Sequence, residues 1–124
     1  MKFIIRRFKG IIIAIKGMFY LLKNEDSIKV QSIVCVFFVL LGCYFEINKT
    51  EWIIHVLLIG FILTTEGLNT VAEKICDLIN PEYDERIKII KDIAAGAVSF
   101  AVISSLIILF IIYLPYFSMI VQTS

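Results

Sequence analysis

Long apolar stretches without charge constrain the fold of this chain more than any other feature. No charged residue occurs in residues 93–113 or 33–45, and a third stretch is apolar over residues 52–63. A helix needs about 20 such residues to cross the ~30 Å hydrocarbon layer of a bilayer. Because 60% of the 124 residues are hydrophobic, a soluble fold would expose large apolar patches and aggregate. The sequence therefore predicts a protein whose solvent is the membrane.

The apolar stretches predict three transmembrane helices in a single domain that occupies residues 1–124. Trp52, an aromatic residue suited to a membrane–water interface, begins the second of these helices. The break at Asn80-Pro81 separates it from a charged stretch that can hold one more short helix. Pro115 is expected to end the last helix, because proline lacks the N–H group that continues a helix. We predict an all-α membrane protein with transmembrane helices at residues 28–45, 52–73 and 93–114.

The first segment, residues 1–23, has the pattern of a helix that lies in the membrane surface. It contains six Lys or Arg residues and no acid, and four of the lysines recur every seven residues on one helical stripe: Lys2, Lys9, Lys16 and Lys23. Large apolar residues fill the opposite face, as in helices that bind the membrane interface. Because charge returns every second turn, we favour this amphipathic surface helix over a first spanning helix.

The distribution of basic residues predicts how the chain is oriented. With a cytoplasmic N-terminus, residues 1–29 and 74–92 lie inside, and the turn at 46–51 and the C-terminal tail lie outside. Eleven of the twelve basic residues are then cytoplasmic, and only Lys49 lies outside. Cytoplasmic loops of membrane proteins are enriched in Lys and Arg. We therefore expect a multi-pass protein of the inner, cytoplasmic membrane.

A row of polar side chains on the second transmembrane helix is the main functional signal. Its members are spaced by three, four and four residues and so share one helix face: Glu66, Asn69, Glu73 and Asp77. At 1.5 Å per residue, Glu66 lies about 21 Å along the helix from Trp52, just inside the cytoplasmic boundary. A charge at the bilayer centre costs at least ~2.5–3.5 kcal/mol, so an acid at this depth needs a reason. Several oxygens along one face suit a hard cation such as Mg²⁺.

Two further groups extend this candidate site. Lys91 and Asp92 stand together at the cytoplasmic start of the last helix, where a lysine can meet phosphate as a point charge and a helix N-terminus favours anions. Glu25, at the cytoplasmic start of the first transmembrane helix, can supply another carboxylate. Phosphoryl transfer requires mainly positioning and neutralisation of charge by a metal and Lys or Arg. The set predicts that nucleotide phosphate is handled beside a lipid headgroup, with no nucleic-acid partner.

These residues resemble the signature of the small prokaryotic diacylglycerol kinase and undecaprenol kinase family. Order and spacing match in three segments: Glu66-Gly67-Leu68-Asn69-Thr70-Val71-Ala72-Glu73 followed by Asp77, then Asn80-Pro81-Glu82-Tyr83, then Lys91-Asp92-Ile93-Ala94-Ala95-Gly96-Ala97-Val98. Weaker similarity extends over nearly the whole chain, through Phe8-Lys9, Lys16-Gly17 and Asn24-Glu25.

The resemblance implies a homotrimer, with active sites between neighbouring subunits, that uses Mg²⁺ and ATP to phosphorylate a lipid alcohol. It implies that Glu66 is the general base and that Glu25 and Glu73 bind Mg²⁺. It assigns the nucleotide, its phosphates or the geometry of the site to a further set: Lys16, Gly17, Asn69, Asp77, Lys91 and Asp92.

The lipid substrate stays open between two branches of the family. The small-residue run at 94–98 and the Pro-Glu-Tyr turn are more similar to the undecaprenol kinase branch, and diacylglycerol is the alternative. Ser27, Lys29 and Gln31 stand where the family often has Asn, Arg and His, and lysine does not replace arginine at a bidentate contact. These departures bear on the lipid preference and the turnover rather than on the reaction class.

Two other functions would also fit a small membrane protein. An ion-coupled transporter would place Glu66 near the bilayer midplane and would not need Lys91 and Asp92. A purely structural, holin-like oligomer would need no acid row at all. The position of the acids toward one membrane face and the paired cytoplasmic motif favour the lipid kinase.

Overall fold

A computed structural model describes residues 1–123, which form four helices with short connections and no strand. They are α1 (Lys2–Asn24), α2 (Asp26–Phe45), α3 (Lys49–Ile79) and α4 (Glu85–Thr123). The all-α prediction is therefore confirmed. Ser124, the last residue of the predicted domain, lies outside the described residues.

Three of the described helices, α2, α3 and α4, are long and apolar enough to cross a membrane. α1 contains six basic residues and no buried residue, as expected of a helix that lies in the membrane surface. The predicted surface helix with three transmembrane helices is thus confirmed. α3 packs against both α2 and α4, and α1 contacts α2, so α3 is the central helix of the bundle.

A tight hairpin joins α2 to α3 at the end of the bundle that we expect to lie outside. α2 ends at Phe45 and is followed by Glu46, whose φ of 51° is left-handed, and Asn48 then caps α3. The Asn48 side chain accepts the N–H of Glu51, and the Glu51 carboxylate accepts the N–H of Asn48, both at 3.0 Å. This reciprocal capping box satisfies two N–H groups at the helix start and fixes where α3 begins.

Gly42 allows α2 and α3 to approach closely beside this hairpin. A Cβ atom at Gly42 would lie 2.9 Å from Ile47 Cδ1 and 3.0 Å from the Trp52 ring. Ile47 is buried, and it packs in the core cluster with Leu109 and Tyr113 of α4. The outer end of the bundle is therefore closely packed.

A buried polar network joins α3 to α4 at the same end. His55 is 2% exposed; its Nδ1 lies 2.7 Å from the Glu51 carbonyl oxygen, and its Nε2 lies 2.7 Å from the Tyr113 hydroxyl. Because a carbonyl only accepts hydrogen bonds, Nδ1 carries a proton. The Tyr116 hydroxyl also donates to the Glu51 carboxylate at 2.6 Å. These contacts hold the two longest helices in register.

α4 continues through Pro115 to its last described residues, so the prediction that Pro115 ends the last helix is wrong. A proline inside a helix costs about 3 kcal/mol, but contacts with α2 hold the residues that follow. The Tyr116 and Phe117 rings lie 5.4 Å and 5.0 Å from the Phe45 ring. The Ser118 hydroxyl donates to the Pro115 carbonyl at 2.8 Å. Membrane helices tolerate proline where neighbouring helices and Ser or Thr side chains make such contacts.

The inner connection, residues 80–84, is shorter than the sequence predicts. α3 extends to Ile79, and α4 already begins at Glu85, so the charged stretch is the start of α4 rather than a separate short helix. Asp84 caps α4, because its carboxylate accepts the Arg86 N–H at 2.9 Å and contacts the Arg86 guanidinium, also at 2.9 Å. The hydrogen bonds from Arg86 lower the pKa of Asp84 to about 2.

Candidate active site

Glu25 forms the corner between α1 and α2. It is the single residue between the two helices, with an extended backbone, and the Asn24 amide donates to the Tyr20 carbonyl at the end of α1 at 2.9 Å. From this corner the Glu25 carboxylate reaches α3, where it lies 3.1 Å from the Lys74 ammonium. That ammonium also lies over the Tyr20 ring, 5.6 Å from its centroid. The structure thus places the predicted Glu25 beside α3, where its carboxylate pairs with the Lys74 ammonium.

Glu66 is buried in the inner half of the bundle. The residue is 6% exposed, and its carboxylate accepts a hydrogen bond from the Gln31 amide of α2 at 3.4 Å. Gly67, the next residue, faces α1, since a Cβ atom there would lie 3.2 Å from Leu21 Cδ1. Burying the charge of an acid within a transmembrane helix is costly, which makes Glu66 a candidate functional residue.

Asn69 and Glu73 lie one and two turns further along α3. The Asn69 amide nitrogen donates to the Glu73 carboxylate at 3.3 Å. The Asn69 Oδ1 atom is buried and has no hydrogen-bond partner among the described residues. Most buried polar atoms have a partner, so this oxygen suits a cation or a polar ligand group. Glu73 is exposed, so its carboxylate is accessible while the Asn69 oxygen is buried.

Asp77 and Lys91 join α3 and α4 at the end of the bundle that we expect to face the cytoplasm. The Lys91 ammonium lies 2.6 Å from the Asp77 carboxylate, so the structure brings these two predicted residues together. Asp92 instead pairs with Lys88 on its own helix at 2.8 Å. Both ion pairs are exposed and therefore contribute little to stability. Their ammonium groups can turn to a phosphate at small cost.

Lys16 and Gly17 lie on the exposed surface of α1. No described hydrogen bond or ion pair joins Lys16 to the acids of α3. The single chain therefore places Glu25 and the predicted residues of α3 and α4 in its inner half and leaves the two residues of α1 apart from them.

An apolar groove opens on another face of α3, at the depth of Glu66. Its volume is about 520 Å³, and its wall combines the end of α1, the start of α2 and the middle of α3: Met18, Leu21, Leu22, Ile28, Gly60, Leu63, Thr64, Gly67, Leu68 and Val71. Gly67 places the groove at the same depth as Glu66, which points to another side of α3 and is not among the lining residues. An apolar groove of this size can hold part of a hydrocarbon chain.

The acids of this site fit Mg²⁺ in company with phosphate ligands. Within residues 1–123, no three His, Cys, Asp or Glu side chains converge closely enough to hold a metal ion. Mg²⁺ usually takes only one or two carboxylates and completes its shell with water and substrate phosphates. Glu73 is an exposed carboxylate of this kind, while the Glu25 carboxylate is held by Lys74.

Gln31 and Lys74 are the site residues that sequence reasoning missed. The sequence marks Gln31 only as a departure from a family pattern and Lys74 only as a cytoplasmic charge. A signal exists for both, since Gln31 is an amide at the start of an apolar helix and Lys74 directly follows Glu73. Their partners depend on how α2 and α1 meet α3, which spacing along one helix does not give.

The fold and this site define a class of protein. Three membrane-spanning helices and one surface helix place carboxylates, amides and lysines at one end of a bundle, beside an apolar groove. Such an integral membrane protein acts at the interface, where an apolar substrate and a charged one can meet.

Comparison with known proteins gives the family. The family model described as prokaryotic diacylglycerol kinase matches residues 12–113, a range that contains every predicted site residue. The undecaprenol kinase of Bacillus subtilis (strain 168) is 34% identical to this chain over 110 residues, which cover 89% of each protein. The chain belongs to the prokaryotic diacylglycerol kinase family and is a multi-pass membrane lipid kinase. The predicted family and enzyme class are confirmed.

Proposed function

We propose that this protein transfers the γ-phosphoryl group of ATP to undecaprenol, with Mg²⁺, at the cytoplasmic face of the inner membrane. One observation carries the proposal, namely that α3 holds the buried Glu66 at the depth of an apolar groove and the exposed Glu73 and Asp77 further along the helix. A lipid whose tail lies at this depth would bring its hydroxyl to the level of the carboxylate. The relative named as an undecaprenol kinase supports this choice of lipid.

In this mechanism Glu66 is the general base. The lipid hydroxyl oxygen forms a bond to the γ-phosphorus while its proton passes to the Glu66 carboxylate. The bond between the γ-phosphorus and the β–γ bridging oxygen breaks, and ADP leaves. The proton then passes from Glu66 to water. Burial of Glu66 excludes water from the carboxylate during transfer, so that water does not replace the lipid as acceptor.

The other predicted residues hold the metal and the nucleotide. Glu73 and Glu25 would bind Mg²⁺, which neutralises charge on the phosphates when it is bound. Lys16 and Lys91 supply ammonium groups for phosphate. The remaining positions hold the nucleotide or the geometry around it: Gly17, Asn69, Asp77 and Asp92.

A homotrimer with a cytoplasmic N-terminus completes the proposal. Lys16 and Gly17 face solvent in the single chain, so α1 of one subunit would reach the nucleotide by lying near α3 of a neighbour. Neighbouring subunits would also cover apolar side chains that α4 leaves exposed, among them Phe100 and Phe110. The cytoplasmic position of eleven basic residues supports the orientation.

Diacylglycerol is the second candidate substrate, because the matching family is described by that activity. Either lipid offers a hydroxyl at the interface, so the roles of the base and the metal are the same for both. The two substrates differ in the tail that the groove must hold. Discrimination between them therefore belongs to the groove rather than to the acid row.

The test compares both lipids with purified protein, detergent and Mg-ATP. We expect a higher kcat/KM for undecaprenol than for diacylglycerol, and a loss of about 10²–10⁴-fold in kcat for Glu66→Gln, as for removal of a general base. Glu46→Gln makes the same chemical change at the opposite end of the bundle and should leave kcat unchanged. Equal product from Glu66→Gln and wild type would show that Glu66 is not the general base. A higher kcat/KM for diacylglycerol would show that diacylglycerol, not undecaprenol, is the preferred substrate.

A further inference from the structure

We propose that Gln31 is a positioning residue that aims the Glu66 carboxylate at the lipid hydroxyl. The inference rests on the proposed role of Glu66 as the base. It adds a residue of α2 to the site, at a position that the sequence marks only as a departure from the family pattern.

The first argument is the contact itself. The Gln31 Nε2 atom lies 3.4 Å from Glu66 Oε1, between residues 35 positions apart in the chain. Glu66 is 6% exposed, so water is largely absent as an alternative donor. A buried carboxylate rotates about its last torsion unless a donor fixes it, because that torsion has broad minima. The amide of α2 supplies this donor from outside the helix that carries the acid.

The second argument is the chemistry of an amide at this place. An ionised carboxylate only accepts hydrogen bonds, and an amide nitrogen donates without carrying charge. A lysine or arginine would form an ion pair with Glu66 and weaken it as a base, and an acid would repel it. The contact is also longer than the usual 2.9–3.0 Å of such bonds. Gln31 can therefore orient the carboxylate while leaving it able to take a proton.

The third argument is the environment of the pair. Gln31 also lines a small pocket of about 50 Å³ between α2, α3 and α4. The titratable groups on its wall are Cys35 of α2 and His55 of α3, and α4 contributes the non-titrating Ser105. The His55 ring nitrogens are bonded to Glu51 and Tyr113. The Gln31 amide thus stands between Glu66 and the interior of the bundle.

Charged groups around Gln31 and Glu66 are paired with groups of opposite charge. At the inner end, Glu25 of the α1–α2 corner pairs with Lys74 of α3, and Asp77 of α3 pairs with Lys91 of α4. α1 contacts the neighbourhood of Glu66 through the uncharged Leu21. Replacing the neutral Gln31 amide should therefore change the electrostatic potential at Glu66 more directly than replacing any of these charged groups.

The experiment compares Gln31→Leu, Gln31→Glu and Gln31→Met with wild type. Gln31→Leu and Gln31→Met remove the donor at similar volume, and we expect kcat to fall about 10–100-fold, as for a misplaced catalytic group, with an unchanged KM for ATP. In Gln31→Glu two adjacent carboxylates cannot both ionise near neutral pH. The acid limb of its kcat profile should move to higher pH, with activity regained on the alkaline side.

Ser32→Ala is the matched control, because Ser32 lies next in the chain and its buried hydroxyl has no described partner. Its kcat and pH profile should follow wild type. Recovery of Gln31→Glu at high pH would show that the variant folds and would support the proposal. Wild-type kcat in Gln31→Leu, or a pH-independent loss in Gln31→Glu, would overturn it. Activity of Glu66→Gln would instead overturn the base itself, so the two failures are distinct.

Discussion

At Asn69 an amide oxygen is buried without a described partner, while the amide nitrogen contacts the exposed Glu73 carboxylate. The site therefore has a buried end at Glu66 and an exposed end at Glu73. Glu66 is buried and accepts from a neutral amide, whereas Glu73 is accessible to a metal ion with its phosphates. In the proposed mechanism, Glu66 would activate the lipid and Glu73 would help to neutralise phosphate charge, within two turns of one helix.

Glu73→Gln should weaken the response of the enzyme to Mg²⁺. The amide removes a negative ligand but keeps the size of the side chain, so the Mg²⁺ concentration for half-maximal activity should rise about tenfold or more. This concentration is measured by titrating Mg²⁺ in a lipid phosphorylation assay at fixed ATP. Glu85→Gln, at the start of α4, should keep the wild-type Mg²⁺ dependence. An unchanged titration in Glu73→Gln would exclude this carboxylate as a ligand.

Sequence spacing predicts which residues share a face of α3, but not what each of them touches. The Glu66, Asn69 and Glu73 positions follow from helical periodicity alone. The contacts of Gln31 with Glu66 and of Lys74 with Glu25 depend on the rotation of α2 and on the corner that ends α1. Those quantities come from packing between helices, which periodicity within one helix does not contain.

The helices themselves were predictable where composition changes sharply and less so where it does not. The apolar stretches predict α2, α3 and α4, yet α4 passes Pro115 because aromatic contacts beyond the proline hold it. The same outer end contains the close approach of α2 and α3 at Gly42. A local rule about proline is overruled by tertiary packing, and Gly42 separately allows α2 to lie close to Ile47 and Trp52.

Gly42→Ala should destabilise the protein, because the added methyl would lie within 3.0 Å of Ile47 and Trp52. We expect the free energy of unfolding to fall by about 1–3 kcal/mol, as for other overpacked sites. Gly60→Ala is the matched control on α3, where a Cβ atom meets no described atom within 4 Å. It should be neutral or stabilising by up to ~1 kcal/mol. Thermal unfolding in detergent measures both, and equal effects would contradict the packing argument.

For the whole molecule, the charge distribution predicts which end faces the cytosol. In a cysteine-free background, Lys49→Cys should react with a membrane-impermeant maleimide added outside intact inner-membrane spheroplasts. Lys88→Cys should react only after the membrane is opened. Each position is exposed in the bundle, so labelling reports the side of the membrane rather than burial. The reverse pattern would invert the protein and place the acid row on the wrong side for cytosolic ATP.

α3 has 31 residues, which makes it about 46 Å long, well beyond a hydrocarbon layer of ~30 Å. Its outer end is tied down by the Asn48 capping box and by His55. The length of α3 is thus fixed, whereas the thickness of the bilayer around it varies. In a thicker membrane the acyl chains would rise past Glu66 toward Asn69, and in a thinner one the headgroups would descend to Glu66. In the proposed mechanism, lipid composition would then change how far the nucleotide must reach into the membrane to meet the lipid hydroxyl, while the protein structure stays the same.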